Sequence, residues 1–146
     1  MTVTLYTIGY EKLLPPELLN ELRLAGVERL IDVRYRPQSR RPGMSKTRLG
    51  DMLADHDIAY EHRKPLGTPP DIRWFYKHNR TAEGAPKFRE YVEKTAAHEL
   101  DDMAAELDHG PRTALMCLEA DPATCHRRTL TDSLQARRPG LQVIDL

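Results

Sequence analysis

The sequence predicts a single-domain α/β fold in which a mostly parallel sheet carries helices on both faces. Strand-like and helix-like segments alternate along the chain, the strand-like ones are short apolar runs, and turn residues separate them. Strands that helices cover on both faces lack the polar alternation of half-exposed strands. At 146 residues the chain is expected to form one domain over 1–146, with a core that needs no disulfide or metal.

Five segments have the composition of strands, at residues 3–8, 29–34, 58–60, 113–118 and 141–144. Helices are predicted from Pro15-Pro16 to Gly26, after Ser45 as a cap, from Pro86 to Gly110-Pro111 with a break near His98, and after Asp121-Pro122. Residues 62–85 show little periodicity and several Pro and Gly residues, which predicts a long loop or lid.

Charge and composition exclude several classes of protein. Lys plus Arg and Asp plus Glu both number 22, so wholesale electrostatic capture of nucleic acid is not expected. No apolar run approaches the roughly 20 residues that cross a bilayer, so no membrane partner is expected. The two cysteines and an N-terminus without a basic leader or cleavage site favour a reduced, cytoplasmic protein. Dinucleotide-binding, P-loop and cysteine-phosphatase motifs are missing, which disfavours those enzymes.

Polar residues collect where the predicted strands end. These residues are Gly9, Tyr10, Asp32, Arg34, the run His62-Arg63-Lys64, Glu119, Cys125, His126 and Arg127. Ligands of parallel α/β sheets bind beyond the carboxyl ends of the strands. We therefore expect these segments to converge on one pocket, in which Arg34, Glu119 and Arg127 line a shared concavity.

Cys125 is the candidate nucleophile of this pocket. If Asp121 is the N-cap and Pro122 the first helical residue, Cys125 lies in the first turn of a helix, where the macrodipole and Arg127 lower the pKa of a thiol. In this interpretation His126 or Glu119 handles protons. Asp32, Arg34, Arg127, Tyr10 and Gly9 would then bind a small anionic substrate, phosphorylated or nucleotide-like. Complete burial of the sulfur would favour a structural role.

Structural interpretations stand beside these roles. Asp32 and Arg34 are equally typical of an ion pair that fixes the next loop, and the Glu119 carboxylate more readily pairs with Arg127 or Arg128. Cys117 lies in an apolar strand and is more typical of the core than of a resolving thiol or a metal ligand. Zinc motifs bring ligands in close pairs, which Cys117, Cys125, His126 and a distant histidine do not, so neither metal nor cofactor is expected.

Two further functions remain open. Residues 34–50 carry six cations and no acid, and a nucleic-acid-associated module could use Arg36, Arg40, Arg41, Lys46 and Arg48 on phosphates. A thiol redox or sensor protein could use Cys117 and Cys125, although we expect the two residues to be too far apart. The aromatic run Trp74-Phe75-Tyr76 is more typical of a plug packed on the core than of a stacking surface.

The chain resembles the DUF488 family, a group of small prokaryotic proteins without an agreed function. The resemblance lies in Thr7-Ile-Gly9-Tyr10, Ile31-Asp32-Val33-Arg34 with Pro37 and Ser39, Ile58-Ala-Tyr60 with Leu66-Gly67, and Leu115-Met-Cys117-Leu-Glu119 with Cys125-His126-Arg127. It implies an α/β fold and a pocket defined by Asp32, Arg34, Glu119, Cys125, His126 and Arg127. It implies no particular reaction.

Overall fold

A five-stranded parallel sheet organises the chain. The computed structural model describes residues 3–146. Within that range the strands are β1 (Thr4–Gly9), β2 (Arg29–Asp32), β3 (Ala59–His62), β4 (Thr113–Cys117) and β5 (Gln142–Asp145). Their spatial order is β3-β2-β4-β1-β5, and each neighbouring pair is parallel. The predicted α/β class and the five predicted strand positions are therefore confirmed.

Within residues 3–146, six α-helices pack on the two faces of the sheet. They are α1 (Pro15–Leu24), α2 (Lys46–Ala54), α3 (Pro70–Lys77), α4 (Thr81–Thr95), α5 (Ala97–His109) and α6 (Arg127–Arg137). Apolar residues of α1 and α2 form one core cluster, and those of α3 to α6 form the other. Among the described residues, no helix combines the length and apolar character needed to span a membrane.

The central strands are buried on both faces. Leu115 and Cys117 of β4 point into the cluster with α3 to α6, whereas Ala114 and Met116 point into the cluster with α1 and α2. Successive side chains of a strand point to opposite faces, so all five residues of β4 are buried. This double burial explains why the strand is a continuous apolar run.

The prediction of a long loop at 62–85 is wrong. A short 3-10 turn at Lys64–Leu66 leads into α3, and α4 already begins at Thr81. The helix α3 is only eight residues long, so the helical spacing of Ile72, Phe75 and Tyr76 extends over about one turn and is easily missed among the surrounding Pro and Gly residues. Proline is well suited to the first helical position, which Pro70 occupies.

The predicted start of α4 at Pro86 is wrong for a packing reason. Proline is usually found at a helix start, yet Pro86 lies inside α4. The extra first turn packs tightly on α3, because a Cβ on Gly84 would stand 2.8 Å from Cβ of Phe75. The predicted break near His98 is confirmed, since α4 ends at Thr95 and α5 begins at Ala97.

Residues 35–45 form a closed basic loop between β2 and α2. Ser45 precedes α2 as predicted, but its hydroxyl makes no capping bond to that helix. It accepts from the amide of Ser39 at 3.0 Å and donates to the Ser39 carbonyl at 3.2 Å. The amide of Lys46 also donates to the Pro37 carbonyl at 2.8 Å. These bonds give the loop a defined shape next to the sheet edge.

Candidate functional site

The carboxyl ends of the central strands lie side by side. Gly9 is in register with Cys117, and Asp32 is in register with Met116 and His62. The residues that follow these strands are therefore neighbours in space, as the parallel topology requires.

Asp32 and Arg34 form a buried ion pair at this edge. Nη2 of Arg34 lies 2.7 Å from Oδ2 of Asp32, and Nε lies 2.9 Å from Oδ1. Nη1 donates to the hydroxyl of Tyr10 at 3.2 Å and to the Met44 carbonyl at 2.8 Å, and Tyr60 donates its hydroxyl to Asp32. Burial alone would lower the pKa of Arg34, but hydrogen bonding and attraction to Asp32 outweigh it and raise that pKa. The guanidinium is thus engaged within the protein.

Arg127 is also used internally. Its side chain is fully buried, and it donates to Thr7 Oγ1 at 3.1 Å, to the Ala120 carbonyl at 3.1 Å and to the Glu119 carbonyl. Burial lowers the pKa of this guanidinium below its ordinary value. The carboxylate of Glu119 pairs with neither predicted partner: Arg127 binds its backbone oxygen, and Arg128 pairs with Asp145 at 3.3 Å. The predicted Glu119 ion pair is therefore wrong.

Gly9 makes room for this arrangement. A Cβ at this position would stand 1.8 Å from the Glu119 carbonyl oxygen and 2.9 Å from Nη1 of Arg127. Only glycine allows the segment after β4 to approach β1 this closely. Gly9 thus shapes the edge of the sheet by having no side chain.

Cys125 does not lie in a helix turn, contrary to the prediction. Asp121 and Pro122 begin a separate 3-10 turn, Pro122–Thr124, in which Asp121 accepts a bond from the Ala123 amide at 2.9 Å. Cys125 follows in an extended conformation, and α6 begins only at Arg127. The helix macrodipole acts most strongly within the first turn. The prediction that the helix dipole acts on the thiol of Cys125 assumed a helix that begins at Pro122, whereas α6 begins at Arg127.

Cys117, Cys125 and His126 meet inside the core. The structure joins the two sulfur atoms as a disulfide, so the side chains face each other contrary to expectation, although their Cα atoms are 7.5 Å apart and exceed, as expected, the limit of about 7 Å for such a pair. Nδ1 of His126 lies 3.7 Å from Sγ of Cys125, and Nε2 lies 2.8 Å from the Val33 carbonyl. Burial lowers the pKa of His126 to about 4. The donor atoms of the three residues lie within 4.8 Å of one another and could hold a metal ion.

A basic cavity of about 700 Å³ opens between the loop after β2 and helix α3. It is lined by Tyr35, Arg36, Gln38, Arg40, Thr68, Pro70, Arg73, Trp74, Lys77 and His78, with no acidic residue among them. Trp74 is 43 % exposed, and its ring stacks on His78 with 4.3 Å between centroids. The plug interpretation is therefore wrong for Trp74, although Tyr76 packs against the core.

A second, shallower cavity of about 450 Å³ follows the basic loop over residues 37–48 and shares Gln38 and Arg40 with the first. Arg40 is exposed, whereas Arg41 donates to the backbone carbonyls of Tyr10, Glu11 and Leu13. Arg41 thereby attaches the loop to the segment after β1. Neither cavity is lined by Arg34, Glu119 or Arg127.

The sequence model described as "Domain of unknown function DUF488" matches residues 15–134. The chain belongs to this family. Comparison with curated proteins and with solved structures finds no match. DUF488 membership confirms the resemblance inferred from the sequence and names no reaction.

The contribution of α3 to the first cavity of this DUF488 chain was not expected from the sequence. Arg73, Trp74, Lys77 and His78 of α3 all line the first cavity. Positions 73 and 77, and likewise 74 and 78, are four residues apart and so share one face of a helix. This spacing, directly after Pro69-Pro70, indicates a helix, and the prediction of a loop at 62–85 did not take it into account.

Proposed function

We propose that this protein binds a small phosphorylated ligand that carries an aromatic ring, of the nucleotide class, in the cavity between the basic loop and α3. The observation that carries the proposal is the lining of that cavity. Arg36, Arg40, Arg73 and Lys77 supply four cations without an acid to offset them. A volume of about 700 Å³ lies within the range of about 300–1,000 Å³ that small-molecule sites occupy.

The arrangement suits both parts of such a ligand. Arginine guanidinium groups match the geometry of phosphate oxygens and form charge-assisted hydrogen bonds with them. Trp74 and Tyr35 line the same cavity as these cations, where their rings can contact a base. Phosphate and base would therefore be recognised by different side chains of one site.

In this proposal the buried arginines position the site instead of contacting the ligand. Arg34 binds Asp32 at one end of the basic loop and the Met44 carbonyl near its other end. The loop that bears Arg36 and Arg40 is thereby held in one shape before ligand arrives. Such preorganisation lowers the entropic cost of binding.

We do not extend the proposal to nucleophilic catalysis by Cys125. Cys125 is 2 % exposed, and its sulfur contacts that of Cys117. A substrate in the cavity has no access to a sulfur so buried. The function supported best is binding.

Binding of single-stranded nucleic acid is the second candidate. The observation that favours it is the continuation of the first cavity into the second through Gln38 and Arg40, which adds Lys46 and Arg48 to the basic surface. A strand that follows both cavities would place successive phosphates along these cations. Trp74 would then stack on one base of the strand.

The test compares the affinities of adenosine 5′-monophosphate, adenosine and inorganic phosphate by isothermal titration calorimetry. We expect the nucleotide to bind more tightly than either part. Arg73→Ala and Lys77→Ala should each weaken nucleotide binding by about tenfold, or about 1.4 kcal/mol. Lys94→Ala is the matched control, because Lys94 is an exposed cation of α4 outside the cavity. Equal affinity for nucleotide and adenosine, or no loss in either cavity variant, would contradict the proposal.

A further inference from the structure

We propose that, in the reduced protein, Cys117, Cys125 and His126 form a Zn²⁺ site that links the end of β4 to the start of α6, with water as the fourth ligand and the carboxylate of Glu119 beside the site. This site lies in the core and is independent of ligand binding in the basic cavity. Thiolate and imidazole donors in a tetrahedral arrangement are typical of zinc.

One pair of donor atoms already has the spacing of an edge of a zinc tetrahedron. Zn–S bonds of about 2.3 Å and Zn–N bonds of about 2.0 Å place sulfur about 3.5 Å from a neighbouring nitrogen ligand. Sγ of Cys125 lies 3.7 Å from Nδ1 of His126, and the donor atoms of Cys117, Cys125 and His126 all lie within 4.8 Å of one another. Oε2 of Glu119 lies 3.7 Å from Sγ of Cys117, close enough to act as a counter-charge.

The separation of the cysteines also suits a shared ion. The Cα atoms of Cys117 and Cys125 are 7.5 Å apart, whereas disulfides usually span about 4.4–6.8 Å. An ion between the sulfurs sets them about 3.8 Å apart. This arrangement bridges a longer Cα separation than a disulfide does.

His126 is oriented as a zinc ligand. Its Nε2 lies 2.8 Å from the Val33 carbonyl oxygen, which can only accept a hydrogen bond, so Nε2 carries the proton. In the neutral ring the lone pair is then on Nδ1, the nitrogen that faces Cys125. Ligating histidines almost always donate their other N–H to a carbonyl, a carboxylate or water in this way.

Arg127 completes the charge balance of the site. Nη1 lies 2.9 Å from Sγ of Cys117 and can only donate, so the sulfur accepts this bond. In the reduced protein, in which a thiol reductant has converted the disulfide to two thiols, Zn²⁺ replaces the two thiol protons, and these protons leave to solvent. The two thiolates and Glu119 then balance the ion and Arg127, so the buried site carries no net charge. An unbalanced charge would be costly at this depth.

The experiment loads the full chain, kept reduced, with Co²⁺ and then with Zn²⁺. We expect one Co²⁺ per chain with the intense thiolate-to-cobalt charge-transfer absorption of a tetrahedral site, followed by its replacement by Zn²⁺. Cys125→Ser should abolish that absorption. His126→Gln should lower the affinity for Zn²⁺ by more than about 100-fold, since loss of an outer-shell partner alone costs about 10–100-fold.

The control variant is His98→Gln, because His98 is 93 % exposed and lies on α5, away from the cysteines. It should bind both metals like the wild type. Circular dichroism shows whether each variant is folded. If a variant does not fold, the cobalt spectrum of the wild-type protein still tests the proposal. A reduced wild-type protein that takes up no metal, or that binds Co²⁺ without thiolate charge transfer, would overturn the proposal. The proposal would also be overturned if the two cysteines form a disulfide in the purified protein and the protein takes up no metal after that disulfide is reduced.

Discussion

Arg34 connects the carboxylate of Asp32 to the carbonyl of Met44, which lies ten residues after Arg34 in the chain. The guanidinium therefore ties the end of β2 to the end of the basic loop, and it does so in the interior of the protein. The cations that project from this loop, Arg36 and Arg40, depend on that buried pair for their position. The pair is thus a structural requirement of the proposed site.

Asp32→Asn should lower the free energy of unfolding by about 3–5 kcal/mol, because it leaves the charge of Arg34 buried without a counter-charge. Urea denaturation followed by circular dichroism measures this loss. Glu83→Gln is the control, since it removes an exposed ion pair with Arg80 that contributes at most about 1 kcal/mol. A loss below 1 kcal/mol in Asp32→Asn, as expected for an exposed pair, would contradict the structural role.

Gly9→Ala should destabilise the protein by at least about 1–3 kcal/mol, because its methyl group would overlap the carbonyl oxygen of Glu119. Gly50→Ala is the matched change: the new Cβ would lie 3.5 Å from the nearest atom, and Gly50 lies inside α2. Alanine in a helix is favoured over glycine by up to about 1 kcal/mol. Thermal unfolding should thus shift down for Gly9→Ala and up or not at all for Gly50→Ala. Equal shifts would contradict the close approach at Gly9.

Arg40→Ala and Arg41→Ala should separate binding from stability. Arg40 is exposed and lines both cavities, so its loss should weaken nucleotide binding without lowering the melting temperature. Arg41 donates to three backbone carbonyls, so its loss should lower the free energy of unfolding by about 1–3 kcal/mol. Calorimetric titration and thermal unfolding of both variants check the difference. Identical behaviour of the two variants would show that the loop contacts are misassigned.

Salt dependence distinguishes a nucleotide site from a nucleic-acid surface. If a single strand follows both cavities, its affinity should fall steeply with salt, and Arg48→Ala should reduce the slope of log K against log [salt] by about 1. A ligand confined to the first cavity should be insensitive to Arg48→Ala, since Arg48 lines only the second. Fluorescence anisotropy with labelled oligothymidylate measures both quantities. Tight binding that depends on Arg48 would favour the nucleic-acid candidate.

The sheet and the meeting of its carboxyl ends could be predicted from the sequence because both depend on local patterns. Apolar runs identify the strands, and a parallel topology brings their carboxyl ends together. Helix α3 was missed because it is only eight residues long and lies between Pro- and Gly-containing segments, which gives its helical spacing little length over which to repeat. The opening of α6 was misplaced because Asp121-Pro122 is equally typical of a 3-10 turn.

The roles of the arginines could not be predicted, because they depend on partners distant in sequence. Arg34 meets Tyr10, 24 residues away, and Arg127 meets Thr7, 120 residues away. An arginine at a strand end is typical of both a ligand contact and an internal hydrogen-bond donor. Only the fold decides between them. The contact between Cys117 and Cys125 depends in the same way on the path of the chain after β4.

Occupation of the cavity beside Trp74 by a nucleotide can be followed through the fluorescence of that residue. Trp74 is the only tryptophan of the chain, so intrinsic emission reports on this cavity without a label. We expect adenosine 5′-monophosphate to quench the emission saturably, with the affinity found by calorimetry, and the double variant Arg73→Ala/Lys77→Ala to lose the effect. Calorimetric binding of the nucleotide with no change in Trp74 emission, or quenching that persists in the double variant, would show that the nucleotide does not bind in this cavity.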